Sequence, residues 1–286
     1  MPFKVTDTHL HLPRTALAGC IRAYVSRNTQ GVDLLPQERF NHFPASPLCC
    51  LMWVMQGDGV LLYKGDELVN QAMPARILLS GPRTVPVMTQ NNGEAHVFMA
   101  FLMPDALQAI TGLDISELIN TSMPFSDIAP RLDASWQHMA DAVLAAHDDA
   151  QRIRCIEEFI LPRWQACRGH TQSASSYQDW IASLAMRAAL SGAGKSTRQW
   201  ERRVKLWAGQ SMQTLRGMAR AETSFFDMRR ASERDMLSWA ELAFNTGFSD
   251  QAHMCREVRR MTGFSPEDIR QKIKTEESFW AYRLWQ

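Results

Sequence analysis

Two histidines separated by one residue, His9 and His11 in the run Asp7-Thr8-His9-Leu10-His11, would share one side of an extended strand. Imidazoles so placed can hold a divalent ion that activates water or supports oxidation of a small substrate. An enzyme of that kind would draw its other ligands from later strands of an eight-stranded barrel covering about 250 residues. The later histidines, at 138, 147, 170 and 253, fall in helical or linker-like stretches instead. Glu94 and His96 lie close together in the strand-forming part, but two side chains are too few for a ligand set. The run Gly192-Ala193-Gly194-Lys195-Ser196-Thr197 ends like a phosphate-binding loop. However, Ala189 stands where that loop needs its first glycine, and an alanine-rich helix precedes it in place of a strand. The expectation is no metal, no cofactor and no catalysed reaction, with a metal-dependent enzyme on His9 and His11 as the alternative reading.

A different chemistry gathers towards the C-terminus. The net charge of +1 conceals an asymmetry: residues 1–169 hold 13 Lys and Arg against 17 Asp and Glu, and residues 170–286 hold 18 against 13, giving −4 and +5. The basic half suits a polyanionic partner. Within it, Ser196–Arg216 aligns with Asp250–Arg270 at an offset of 54 residues, with five identities in 21 positions: Arg202/Arg256, Val204/Val258, Gly209/Gly263, Ser211/Ser265 and Arg216/Arg270. Unrelated windows of that length share about one, so the unit is a duplication.

Each copy reads as helix, tight turn, helix, stop. In the second, Trp239–Phe244 leads, Gly247 turns, Phe248 plugs the turn, and Ser249 or Asp250 caps the next helix. Met254, Val258 and Met261 share its packed face, Gly263 stops it, and Ser265-Pro266 starts another helix. In the first copy Leu184–Leu190 leads, Ser191–Gly194 turns and Ser196 caps. Trp200, Val204 and Trp207 are then packed, leaving the opposite side of that helix outward. Trp200, Trp207 and Trp239 are assigned to core packing, because a duplex offers no unstacked base. Helix-turn-helix units of this shape lay the second helix in the major groove, where arginine bridges guanine O6 and N7 and glutamine pairs with adenine.

The run from Trp239 to Pro266 resembles the signature of AraC/XylS-type transcriptional regulators. The resemblance covers the last hundred residues or so, and it implies two helix-turn-helix units joined by a long helix, here Ser211–Arg230. It implies DNA contacts from Lys195, Thr197, Arg198, Glu201 and Arg202 in the first unit, and from Asp250, Gln251, Cys255, Arg256 and Arg260 in the second. The first unit departs from the pattern in its flexible Gly192-Ala193-Gly194 turn and in Glu201, which puts a negative charge where a neutral or basic reader is common. Arg216 and Arg270, beyond the stop glycines, suit a structural or phosphate role.

The elements that must carry such a domain come earlier in the chain. Apolar runs at Leu48–Met55 and Val60–Tyr63 around Gly57-Asp58-Gly59 read as a hairpin, with further strands at Cys20–Val25, Arg76–Leu79, Thr84–Thr89 and Ala95–Met103. Strands so spaced suggest a small barrel. After Pro104, Leu132 to Leu144 and Ile153 to Ile160 repeat at helical spacing, either as core or as a seam for a second copy. The fold class is therefore α+β. Residues 1–168 form a cupin-like barrel with amphipathic helices, similar in its order of elements to the sensor domains of the family. Residues 169–176 are a linker, and residues 177–286 an all-α double helix-turn-helix domain. Met52, Met55, Met73, Met88, Met99 and Met103 supply adaptable apolar surface for an effector cavity or an ordinary core, with Trp53 and Phe101 as the first cavity residues to test.

At 286 residues the chain is long enough for two domains, and its 45% hydrophobic and 21% charged composition is that of a folded globular protein. Six cysteines without a Cys-x-x-Cys pair argue for reduced thiols. No apolar stretch reaches bilayer length and no leader opens the sequence, so a cytoplasmic protein is expected, with no membrane partner. The expected partners are double-stranded DNA with two half-sites about one turn apart, a small-molecule effector, a second copy of the chain, and RNA polymerase if transcription is activated. In a third reading the first domain senses nothing and only dimerises.

Overall fold

Every residue from Leu48 to Met55 is apolar, so a strand made from them needs cover on both faces. The computed structural model, which describes residues 6–167, 177–190, 197–233 and 238–284, provides it. Ten strands occur among the described residues: β1 (Asp7–His11), β2 (Ile21–Asn28), β3 (Phe40–Phe43), β4 (Cys49–Gln56), β5 (Gly59–Lys64), β6 (Glu67–Ala72), β7 (Ile77–Ser80), β8 (Val87–Asn91), β9 (His96–Leu102) and β10 (Ser122–Pro124). They form two antiparallel sheets, a larger one ordered β1-β2-β9-β4-β7-β10 and a smaller one ordered β3-β8-β5-β6. The sheets face each other without closing, so the expected barrel is an open sandwich.

The expected hairpin of β4 and β5 is also corrected. β4 pairs with β9 and β7 in the larger sheet, and β5 with β6 and β8 in the smaller. Gly57-Asp58-Gly59 carries the chain from one sheet to the other. Gly57 holds a positive φ of 83°, and a Cβ there would lie 2.3 Å from the carbonyl oxygen of Glu94, so only glycine fits the crossing. Two adjacent apolar strands look like a hairpin in sequence, but β9 and β7 occupy both edges of β4 and leave β5 none to pair with.

Alternation along the central strands divides their side chains. Cys49, Leu51 and Trp53 of β4, with Phe98, Ala100 and Leu102 of β9, face a helical layer. That layer is α1 (Pro104–Thr111), α2 (Phe125–Ile128), α3 (Ser135–Ala145) and α4 (Asp149–Cys167). Trp136, Met139 and Val143 of α3 and Ile156 and Ile160 of α4 are buried there, so these amphipathic helices are core. The other face of β4 and β9 looks into a cavity of about 480 Å³ between the sheets.

The remaining helices are α5 (Tyr177–Leu190), α6 (Thr197–Ala208), α7 (Met212–Glu233), α8 (Trp239–Asn245), α9 (Gln251–Thr262), α10 (Pro266–Thr275) and α11 (Trp280–Leu284). They do not stand apart from the sandwich. Leu184, Val204 and Leu215 belong to the same buried cluster as Ile115 and Leu118. Asp105 of α1, buried, accepts from the Trp180 indole at 2.9 Å and pairs with Arg187 at 2.8 Å. Glu222 of α7 pairs with Arg22 at 3.3 Å. Arg27 of β2 pairs with Glu277, just before α11, at 2.8 Å, with both side chains almost wholly buried. The Trp280 indole donates to Asn41 of β3 at 2.8 Å, and the Ala45 amide to the Met261 carbonyl at 2.7 Å. The expected linker, 169–176, lies outside the described residues. No described helix is long and apolar enough to cross a membrane.

Candidate nucleic-acid interface

Among the described residues, the second helices of the two copies coincide residue for residue. α6 runs from Thr197 to Ala208 and α9 from Gln251 to Thr262, each end displaced by the 54 residues of the sequence offset. Gly209 and Gly263 end them with φ of 71° and 81°, their amides donating to the carbonyls of Lys205 and Arg259 at 2.7 and 2.8 Å. A left-handed residue there satisfies a terminal carbonyl and turns the chain away. Ser211 and Ser265 then cap α7 and α10, each hydroxyl accepting a backbone N–H three residues on at 3.1 Å.

Packing fixes the outward side of each helix. In α6, Val204 and Ala208 are fully buried, and Trp200 and Trp207 half-buried. The Trp200 indole donates to the Ala185 carbonyl of α5 at 3.4 Å, and the Arg187 guanidinium lies 4.9 Å from the Trp207 ring centre. The three tryptophans assigned to packing thus lie inward or half-buried, Trp239 against the core of the second unit. Opposite them Arg198, Arg202 and Lys205 are exposed at i, i+4 and i+7. In α9, Met254, Val258 and Met261 are buried, and Ala252, Arg256 and Arg259 occupy the matching exposed positions. Each helix presents a cationic stripe backed by an apolar one.

The turn of the second unit follows the expected layout. Ser238 caps α8 through the Glu241 amide at 3.4 Å, Gly247 has φ of 78°, and Phe248 is buried against Leu242, Ala243 and Met254. In the first unit, the turn and the Ser196 cap lie outside the described residues, as does the phosphate-loop-like run up to Ser196.

Among the residues expected to touch DNA, Arg198, Arg202, Gln251 and Arg256 are exposed. Glu201 and Cys255 are half-buried. Asp250 is exposed, but its carboxylate caps α9 by accepting from the His253 amide at 2.6 Å, and that bond holds its pKa below the ordinary range. Arg260 pairs with Glu257 at 3.0 Å along its own helix. Thr197 begins α6, and Lys195 lies outside the described residues. Arg270 pairs with Glu267 within α10. Lys205 and Arg259, exposed on the same stripes, were not among the residues expected to touch DNA, although their alignment in the repeat was the signal that could have singled them out.

The cavity between the sheets is lined by Met52, Met73, Met99 and Phe101 among others. Trp53 is not among them. It sits one residue out of phase on β4, buried against the helices, where its indole donates to the Ala140 carbonyl at 3.0 Å. Met55, Met88 and Met103 do not line it either. Trp280, from α11, does, and so does the buried Arg27. Sequence offered no signal for either, because β2 and the C-terminal helix are brought together only by the fold.

His9 and His11 lie on β1, an edge strand, with ring centres 6.0 Å apart. His9 Nε2 hydrogen-bonds to Asp7, and His11 Nε2 lies 3.7 Å from Asp149. Glu94 accepts from the Gly31 amide at 3.0 Å, and partial burial lowers the pKa of His96. Among the described residues no three His, Cys, Asp or Glu side chains gather as a metal site would need.

A helix-turn-helix domain family matches residues 175–272. No curated protein sequence matches the chain. In backbone course it is similar to ToxT from Vibrio cholerae, at 10% identity over 93% of this chain and 97% of that one with a TM-score of 0.37. ToxT with a bound unsaturated fatty acid gives 12% identity over 82% and 95% of the two chains, with a TM-score of 0.38. The AraC-like transcriptional activator CuxR gives 10% identity over 98% and 100%, with a TM-score of 0.27.

Proposed function

We propose that this chain, whose C-terminal region is an AraC/XylS-type helix-turn-helix domain, is a sequence-specific transcription regulator in which residues 177–286 read DNA and residues 1–168 sense a small molecule. The observation that carries the DNA reading is the shared register of α6 and α9. In both, an arginine, Arg202 or Arg256, stands exposed two positions before a buried valine, Val204 or Val258. Arginine on the outer side of such a helix is the residue that reads guanine bidentately, and the neighbouring Arg198, Lys205 and Arg259 supply phosphate contacts. α7, with 22 residues, is about 33 Å long at 1.5 Å per residue, close to the roughly 34 Å of one duplex turn. It spaces the two units for half-sites on one face of the DNA.

The effector reading rests on the cavity. Its volume of about 480 Å³ lies in the usual range for ligand pockets, and its wall is largely apolar with a few polar groups. Trp280 of the DNA-binding half forms part of that wall, so a ligand would touch both halves at once. Binding there biases how the reading helices are held, without any relay between distant sites.

Mapping the genomic sites bound by the full chain tests the DNA reading. A recurring pair of half-sites, lost from the Arg202→Ala and Arg256→Ala variants, supports it. Binding that ignores sequence contradicts it. A thermal-shift screen against a broad metabolite set tests the sensor, and a first domain that only dimerises would respond to none.

A further inference from the structure

We propose that a second cavity, at the seam between the sandwich and the C-terminal helices, takes a small uncharged apolar molecule that touches the reading helix α9 on its packed side. The cavity holds about 180 Å³. It shares Phe43, Phe101 and Trp280 with the cavity between the sheets, as a common wall. Its far wall belongs to the DNA-binding half: Ala221 and Phe225 of α7, and Val258 and Met261 of α9, none of which lines the other cavity. The site stands on this cavity alone, and only its effect on DNA rests on the proposed DNA reading.

Protein interiors pack densely, with few voids larger than a water molecule, so a space of this size calls for an occupant. Water is a poor one, because each molecule needs two or more polar partners. The polar groups of the lining are engaged elsewhere. Ser46 Oγ lies 3.3 Å from Tyr177 Oη and accepts from the Leu48 amide at 3.2 Å. Thr262 Oγ1 donates to the Val258 carbonyl at 2.8 Å, and the Trp280 indole to Asn41 at 2.8 Å. Tyr282 Oη has no partner but is fully buried, so it offers the cavity nothing. Glu222 is the one charged residue of the lining, and its carboxylate is held by Arg22 at 3.3 Å and by the Tyr177 amide at 3.0 Å. No lysine, arginine or histidine lines the cavity, so an anion would find no counter-charge there and would meet a carboxylate instead.

What remains is apolar and rich in rings. Phe43 packs against Trp280 and Phe225 against Tyr282, with ring centres 5.6 and 6.0 Å apart. An apolar cavity of roughly 150 Å³ stays dry and takes up benzene, which sets the size and chemistry of the occupant at a compact hydrocarbon ring system. Val258 and Met261 belong to the packed stripe of α9, opposite Arg256 and Arg259. Here α9 meets the sandwich through the bond from the Ala45 amide to the Met261 carbonyl and a small cluster of Ala45, Met218 and Met261, whereas α6 is continuous with the main core through Val204 and Ala208. An occupant adds contact at the smaller joint and so biases how the second reading helix is held.

NMR of the full chain with methyl-labelled methionine, titrated with naphthalene and with its carboxylate 2-naphthoate, locates the site. Met261 lines only this cavity, and Met52 and Met73 only the other. Met261→Leu assigns the signal. Naphthalene is expected to shift the Met261 methyl resonance saturably, and 2-naphthoate to leave it in place. Ala221→Leu, which fills the cavity from α7, is expected to abolish the shift while Met52 and Met73 keep their wild-type positions, showing the fold intact. A wild-type Met261 signal that naphthalene leaves unmoved, or that 2-naphthoate moves as far, overturns the proposal, as does a response confined to Met52 and Met73 or one that survives Ala221→Leu. Saturating naphthalene should also change the affinity of the wild type for its mapped DNA and not that of Ala221→Leu. Unchanged wild-type affinity overturns the coupling to DNA, and the absence of any specific DNA site overturns the DNA reading while the Met261 signal still decides the cavity.

Discussion

The Arg27–Glu277 pair joins residues 250 positions apart with side chains 2% and 1% exposed, and its two ends respond differently to removal. Glu277→Ala strands a buried guanidinium that keeps only its bonds to Thr6 and Thr8. Breaking a buried pair in this way costs about 3–5 kcal/mol. Burial already draws the Arg27 pKa down to about 10, with Glu277 opposing that fall, so the charge has little alternative solvation. Arg27→Met is milder, because Glu277 retains Arg283 and the Thr6 hydroxyl. The Arg27→Met/Glu277→Gln variant removes both charges and should lie within about 1 kcal/mol of wild type, as apolar or neutral replacement of buried pairs commonly does. Urea denaturation followed by circular dichroism measures the order, and thermal scans report it as a fall in Tm of about 10 °C for Glu277→Ala, at roughly 2–4 °C per kcal/mol. A Glu277→Ala variant within about 1 kcal/mol of wild type, or a double variant as unstable as the single one, would refute the reasoning that the cost lies in stranding one buried charge.

Three further outcomes are expected. Gly209→Ala and Gly263→Ala each force alanine into a left-handed conformation at about 1–2 kcal/mol, but a Cβ at Gly209 would lie 3.1 Å from Ile115 Cγ2 and one at Gly263 no nearer than 3.9 Å to Pro86. Gly209→Ala should thus be the more destabilising by about 1 kcal/mol in denaturant titrations. His42 lies against Phe264 and Phe279, beside Lys272 and Glu276, and burial lowers its pKa to about 4. The unfolded chain takes up that proton below about pH 6.5 and the folded chain does not until about pH 4, so stability falls as pH drops through this window. The loss is about 2–3 kcal/mol at pH 4.5, and a His42→Phe variant compared at pH 7 and 4.5 should show that much less acid sensitivity. On specific DNA, Arg256→Ala should cost about 1–3 kcal/mol and relax one base position, whereas Arg259→Ala should weaken all sequences alike and flatten the salt dependence by about one unit of slope.

The C-terminal helices were legible because their signals are local. Stop glycines at 209 and 263, capping serines at 211 and 265, and valines at 204 and 258 recur at one offset, and the helices begin and end accordingly. The strands were legible as strands but not in their partners. Nothing near Gly57 says that β4 and β5 enter different sheets, since that depends on β9 and β7 arriving from elsewhere. The same gap misplaced Trp53. Every residue of β4 as far as Met55 is apolar, so the alternation that separates Met52, facing the cavity, from Trp53, facing the helices, leaves no trace in hydropathy. Docking of the C-terminal helices on the sandwich depends on pairs such as Arg27 with Glu277 and Asp105 with Arg187, whose members are too far apart in sequence for any periodicity to link them.

The central claim is that α6 and α9, set apart by α7, engage successive turns of one duplex. Its most direct measurement is the affinity of the full chain for its mapped site, compared with the same half-sites moved apart by five and by ten base pairs. Half a turn puts the second half-site on the far side of the DNA, and a full turn restores the face but exceeds the reach of an approximately 33 Å spacer. Both insertions should therefore lower affinity to that of a single half-site. Affinity unchanged by either insertion would contradict the account.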